Sequence, residues 1–203
     1  MPGPVSPATA RLPAAQRRHQ LLDTALAVFG ALGYHRASMD AVAEAAGVTK
    51  PVLYQHFGSK RDLYLEVLND VGTRLMDTVA LAARRAGTPR EQVEAGFRAY
   101  FNFVRDHAGA FRLLFGGLDR DDEFAAVGAH VQETMSRTVA ELIAVDLDPE
   151  HRQILAHGVI GLAESTSRRW IGQDLDLDPD ILAARVAELA WAGLRGIRSA
   201  DRA

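Results

Sequence analysis

The sequence predicts an all-α protein, and three observations point to it. Apolar residues recur at spacings of three and four along nearly the whole chain. The interruptions are helix punctuation: Gly87-Thr88-Pro89, Gly116-Gly117, Asp148-Pro149 and Asp178-Pro179. No stretch alternates with period two for long enough to make a strand.

The elements follow in order. Residues 1–13 are rich in Pro and Ala, lack periodicity, and read as a disordered tail. A first helix is expected from Ala14 to Leu32, with Leu22, Ala25, Leu26, Phe29 and Leu32 on its inner face and Gly33 ending it. Ser38 is placed to cap a second, short helix whose stripe is Met39, Val42, Ala43 and Ala46, with Asp40 at its positive end. Gly47 closes that helix, and Thr49 caps a third one that tolerates Pro51 in its first turn and ends near Phe57-Gly58. Ser59 to Asp62 has capping-box spacing ahead of a long helix with the stripe Tyr64, Leu68, Val71, Leu75 and Val79. The remaining helices are expected near 60–85, 89–107, 110–115, 122–145, 149–172 and 179–198. The two Asp-Pro pairs supply an N-cap and a first-turn proline. Three units result: the tail 1–13, a small domain 14–60, and a larger helical domain 61–203.

Bulk properties narrow the function. With 203 residues, 48% of them hydrophobic, a core forms without staples. The absence of cysteine excludes disulfides and thiolate metal sites and suits a reducing cytoplasm. No apolar run approaches the roughly 18–20 residues that span a bilayer, so no membrane partner is expected, and the N-terminus lacks a signal-peptide pattern. The net charge of −3 is uneven: residues 1–60 hold six basic and three acidic side chains, net +3, and residues 61–203 hold 17 and 23, net −6. A basic head on an acidic body fits DNA binding by the head.

The segment from Ser38 to Lys60, SMDAVAEAAGVTKPVLYQHFGSK, carries the function. Two short helices joined at Gly47-Val48 have the spacing of a helix-turn-helix, whose second helix lies in the major groove. Val48, Leu53 and Phe57 are expected to point inward, leaving Lys50, Pro51, Val52, Tyr54, Gln55 and His56 outward. Gln55 suits adenine, Val52 or Pro51 a thymine methyl, and Tyr54 a phosphate. Lys50 and Lys60 flank the helix where phosphates should lie. Ser38 serves as cap and as phosphate donor. Arg11, Arg17 and Arg18 form either a minor-groove arm or a solvated tail.

The run GYHRASMDAVAEAAGVTKPVLYQHFGSKRDLYLEVL resembles the DNA-binding domain of the TetR family of regulators, over roughly residues 15–70. The resemblance implies an all-α homodimer, two helix-turn-helix heads on a palindromic operator, and a C-terminal domain whose small-molecule effector alters the spacing of the heads. Ser38, Lys50, Pro51, Val52, Tyr54, Gln55, His56 and Lys60 match the family's DNA-facing positions, although the family usually has a small residue where Pro51 stands. Two shorter pieces, Ala110-Phe111-Arg112-Leu113-Leu114-Phe115 and Ala190-Trp191-Ala192-Gly193-Leu194, resemble the acyl-CoA-responsive regulators of fatty-acid synthesis. They imply a long-chain acyl-CoA effector. A regulator of drug-efflux or catabolic genes, answering to another hydrophobic molecule, is the alternative.

In the larger domain, Phe97, Tyr100, Phe101, Phe103 and Val104 surround one helix, with Phe111, Leu114 and Phe115 close behind. Phe97, Phe101, Phe111 and Phe115 either line a pocket for a greasy ligand or form core alone. Gly158, Gly161, Gly193 and Gly196, with Trp170 and Trp191 nearby, fit a four-helix dimer interface or packing within one chain. Ser165, Thr166 and Ser167 offer hydroxyls either to a ligand or to the carbonyl one turn back. His130 with Glu133, and His157 with Glu164, lack a third ligand at fixed spacing, so neither metal nor cofactor is expected. No phosphate loop, dinucleotide fingerprint, HExxH or GxSxG supports a helical-bundle enzyme. A protein-only adaptor leaves the outward Tyr-Gln-His and the basic head unexplained.

Overall fold

The computed structural model describes residues 14–115, 122–143 and 147–196, and among them it is all helix and turn. Among the described residues nine helices follow one another: α1 Ala14–Arg36, α2 Met39–Ala45, α3 Lys50–His56, α4 Lys60–Arg84, α5 Pro89–Asp106, α6 Ala108–Phe115, α7 Asp122–Leu142, α8 Pro149–Gly172 and α9 Pro179–Leu194. The expected tail at 1–13, the Gly116-Gly117 break and the last residues of the two helices expected to reach 145 and 198 lie outside the described residues.

Local chemistry sets the helix starts. Ser38 Oγ accepts from Ala41 N at 3.1 Å and Ser59 Oγ from Asp62 N at 3.0 Å. Asp148 and Asp178 each accept two backbone N–H groups ahead of a first-turn proline. The full reciprocal box is at Thr88 and Glu91, a T-x-x-E pattern not singled out above, and it fixes the entry to α5. Thr49 occupies the cap position of α3 but makes no side-chain cap bond. Pro51 has removed the second-position donor, and the Val52 N–H is taken by the Thr49 carbonyl at 3.0 Å.

Two expectations about α1 need correction. Its backbone leaves helical geometry at Gly33 (φ 74°, ψ 163°) as expected, yet a further turn, Tyr34 to Arg36, continues beyond the kink. Leu32 sits on the solvent side at 39% exposure, because the inner face is formed by Leu21, Leu22, Ala25 and Phe29.

One continuous apolar core runs from the head into the body. Leu53, Phe57, Leu63 and Val67 are all at most 1% exposed, so the start of α4 belongs as much to the head as to the body. Phe29 meets Tyr64 edge-on at 5.0 Å, and Tyr64 meets Phe124 of α7 at 4.7 Å. Arg74 on α4 ties back to Asp23 of α1 at 2.7 Å. The head also rests on α6. A Cβ on Gly30 of α1 would stand 3.2 Å from the Gly109 Cα, and the reverse holds, so the two backbones touch because both residues lack side chains. In the body, α5 is central and packs mainly on α9 and α4, with α7 bridging α4 and α8.

Candidate DNA-binding face and ligand cavity

Helix α3 projects from the head because its inner side is fully used. Leu53 is 0% and Phe57 1% exposed, and Val48 packs partly buried against the same core. Gly47 makes the turn between α2 and α3 at φ 65°, a conformation open to glycine at little cost. The Val48 N–H reaches back to the Ala43 carbonyl at 3.0 Å and fixes the angle between the helices. The remaining α3 side chains face away from the core. Lys50, Pro51, Tyr54 and Gln55 are exposed, Val52 and His56 are half-buried, and Ser38 and Lys60 stand at the neighbouring helix starts, exposed and half-buried respectively.

The cations here are already positioned. Lys50 Nζ bonds Asp40 Oδ2 at 2.8 Å, and this hydrogen bond raises the lysine's pKa above its ordinary value. The charge is therefore secure, but a phosphate has to compete with Asp40 for it. Lys60 Nζ lies 4.4 Å from the Tyr34 ring centroid and donates to the His35 carbonyl at 3.4 Å.

Arg18 is the residue that sequence reasoning misplaced. It is neither a groove arm nor a free tail. Its guanidinium sits 4.6 Å from the Phe57 ring centroid, donates to the His56 carbonyl at 2.9 Å, and pairs with Glu66. It therefore clamps the C-terminal end of α3 from behind. Arg17 donates to Gln20 on its own helix at 2.9 Å, and Arg11 lies outside the described residues.

In the body, a cavity of about 230 Å³ opens between α4, α5, α7, α8 and α9. Of the four rings expected to line a pocket, Phe97 alone faces it. Phe101, Phe111 and Phe115 lie in core packing elsewhere, Phe101 against Trp170 at 6.1 Å and Phe111 against Phe115 at 5.2 Å. The walls are mostly aliphatic, among them Val79 and Ala83 of α4, Val93 of α5, Met135 of α7 and Ile160 of α8. Large rings fill space against one another; the void forms where mid-sized side chains from five helices fail to meet. Trp191, expected at a dimer interface, lines this cavity, and Trp170 is buried within the chain with its Nε1 donating to the Leu175 carbonyl at 3.0 Å.

The glycines of α8 and of the end of α9 face outward. A Cβ on Gly158, Gly161 or Gly193 would meet nothing within 4 Å, and one on Gly196 would meet only backbone of its own turn. Beside them Ile154 and Leu189 are 63% and 61% exposed.

At the inner end of the cavity, Tyr100 and Ser167 are 3% and 0% exposed, and their hydroxyls face each other without reaching well-formed hydrogen-bond geometry. Burial pushes the Tyr100 pKa up, and the adjacent Ser167 offsets part of that shift. Ser167 thus does not bond the carbonyl one turn back; its hydroxyl is turned to that of Tyr100. Among the described residues no three His, Asp or Glu side chains converge on a point. Glu133 pairs with Arg137, and Glu164 with Gln132 and Arg168.

Comparison with known proteins agrees with this geometry. Residues 21–67 match the model of bacterial regulatory proteins of the tetR family, and residues 89–193 that of the tetracyclin repressor-like C-terminal domain. The HTH-type transcriptional activator FasR of Mycolicibacterium smegmatis is 36% identical over 91% of this chain and 85% of its own. A TetR-like transcriptional regulator from Rhodococcus sp. RHA1 superposes with a TM-score of 0.73 at 29% identity, covering 92% of this chain and 100% of that one. The regulator FadR of Bacillus subtilis, in complex with stearoyl-CoA, shares the fold at a TM-score of 0.74 and 16% identity over 86% of this chain and 98% of its own.

Proposed function

The chain belongs to the TetR family of bacterial transcriptional regulators, and from that premise we propose that it binds a palindromic operator as a homodimer and is released by a hydrophobic effector, a long-chain acyl-CoA. The carrying observation is the division of α3: Leu53 and Phe57 are sunk in the core, while Lys50, Tyr54 and Gln55 stand in solvent. That helix then lies in the major groove with Ser38, Pro51, Val52, His56 and Lys60 around it. No helix among the described residues is long and apolar enough to cross a membrane, and a cytoplasmic location follows from the DNA partner.

The outward glycines Gly158, Gly161, Gly193 and Gly196, with Ile154 and Leu189, support a dimer formed by α8 and α9 of two chains. Such a face lets helices approach closely, and the exposed aliphatics gain burial. Two heads then meet successive major grooves about 34–36 Å apart. The effector reading rests on the apolar cavity, on the pieces Ala110–Phe115 and Ala190–Leu194, and on a fold neighbour that holds stearoyl-CoA. The cavity touches α4 at Val79 and Ala83, and α4 begins at Lys60, beside the recognition helix. Helix α4 is therefore a rod of about 37 Å joining ligand to head. An effector shifts the heads only through unequal affinity for their two arrangements. The test is reciprocity: palmitoyl-CoA should weaken binding to the protein's own upstream DNA, and that DNA should weaken palmitoyl-CoA binding by the same factor. Independent affinities remove the mechanism.

A further inference from the structure

The cavity is small for the effector class proposed above. Ligand pockets usually enclose about 300–1,000 Å³, and this one encloses about 230 Å³. An apolar cavity of about 150 Å³ takes one benzene, so this one scales to about nine heavy atoms. A chain of about ten carbons fits with its head outside; one of sixteen does not.

The void has a direction. Along α5 its wall begins at exposed Pro89 and ends at buried Tyr100, eleven residues and about 16 Å further in. Arg195, also exposed, shares the outer end. Further along α5, Phe101 and Val104 are at most 1% exposed and do not line the cavity. The inner end of the wall along α5 is thus the Tyr100 ring, and behind it the Tyr100 and Ser167 hydroxyls are buried facing each other, short of a well-formed hydrogen bond. A buried hydroxyl pair that meets imperfectly makes this contact between α5 and α8 weaker than the apolar packing around it. The next residue, Arg168, donates to the Phe115 carbonyl at the end of α6 at 2.5 Å and pairs with Glu164. Helix α6 in turn carries Gly109, in backbone contact with Gly30 of the head.

We propose that Tyr100 is a length gauge: chains of up to about ten carbons occupy the cavity with the ring in place, longer chains bind only by displacing it, and that displacement reaches the head through Ser167, Arg168 and α6. Short chains fit the unaltered cavity, have no differential affinity, and leave the operator bound. Long chains select the displaced arrangement and release it. The inference rests on the cavity being the effector site.

The experiment pairs calorimetric binding with release of labelled upstream DNA, for acyl-CoAs of 8, 10, 12, 16 and 18 carbons. In the wild type, 8- and 10-carbon chains should bind with less than a twofold effect on DNA affinity, and 16- and 18-carbon chains should weaken it at least tenfold. Tyr100→Leu should move the threshold for release to longer chains, while Tyr100→Phe, which keeps the ring, should leave it in place. Arg168→Gln, altering a half-exposed side chain, should preserve the binding profile and cut the long-chain effect at least threefold. Release by 8-carbon chains as complete as by 16-carbon chains overturns the gauge. So does a threshold unmoved by Tyr100→Leu or, where that variant fails to fold, a long-chain effect unchanged by Arg168→Gln. Ala163→Trp, which fills the cavity, separates the two readings. Binding lost there with an unmoved threshold retains the cavity and removes the gauge. Binding unaffected there, or absent in the wild type, removes both.

Discussion

Arg18 and Phe57 meet behind the recognition helix, guanidinium over ring at 4.6 Å, with the same guanidinium donating to the His56 carbonyl at 2.9 Å. One cation from α1 therefore holds the end of α3 without facing the groove. Arg18→Ala should cost about 1 kcal/mol of stability, since the ion pair with Glu66 is partly exposed and the ring contact is modest. It should weaken operator binding several-fold with an unchanged salt slope. A slope reduced by about one would mean that Arg18 reaches a phosphate directly.

Tyr54 and Phe57 are three residues apart and opposite in role. Tyr54→Ala should lower operator affinity about tenfold or more, the worth of a hydrogen bond to a charged group, with little change in thermal unfolding. Phe57→Ala should destabilise the head by about 3–5 kcal/mol. Circular dichroism melts beside DNA titrations separate the two, and an unfolded Tyr54→Ala protein would reverse the face assignment.

Asp40 competes with DNA for Lys50. Asp40→Asn should free Lys50, remove a negative charge from the DNA-facing side, and raise affinity several-fold at low salt, less at high salt. Lys50→Ala should lower the salt slope by about one. Weaker binding by Asp40→Asn would show that the pair orients Lys50 rather than restraining it.

Gly30 and Gly109 bring α1 and α6 so close that a Cβ on either would stand 3.2 Å from the other's backbone. Gly30→Ala should cost about 1–3 kcal/mol through forced separation of the helices, read as a melting temperature lower by roughly 2–4 °C for each kcal/mol. An unchanged melting temperature would show that the joint yields freely.

Much of this molecule is legible in its sequence because the information is local. Helix starts follow from single caps such as Ser38, Ser59 and Asp148, and the outward face of α3 follows from the i, i+4 pair Leu53 and Phe57. What was not legible depends on distant partners. Arg18 is an ordinary basic residue until α3 and α4 bring Phe57, His56 and Glu66 to it. The cavity shows the same limit more sharply. The aromatic run at Phe97–Phe115 signals a dense core, and density is what fills space. The void itself comes from Val79, Met135, Ile160 and others on separate helices, and no periodicity reveals a gap between them. The glycines near Trp170 and Trp191 in sequence point both rings to a dimer face, but helical rotation sends those glycines outward and both rings inward.

The central claim is that α3 reads DNA, and operator binding across a salt series tests it most directly. Affinity for the protein's own upstream DNA should exceed that for a scrambled duplex at every salt concentration. For both, log affinity should fall linearly with log salt, with a slope reporting several phosphate contacts. Affinity that is absent, or indifferent to salt on both duplexes, would contradict the DNA-binding role of the head.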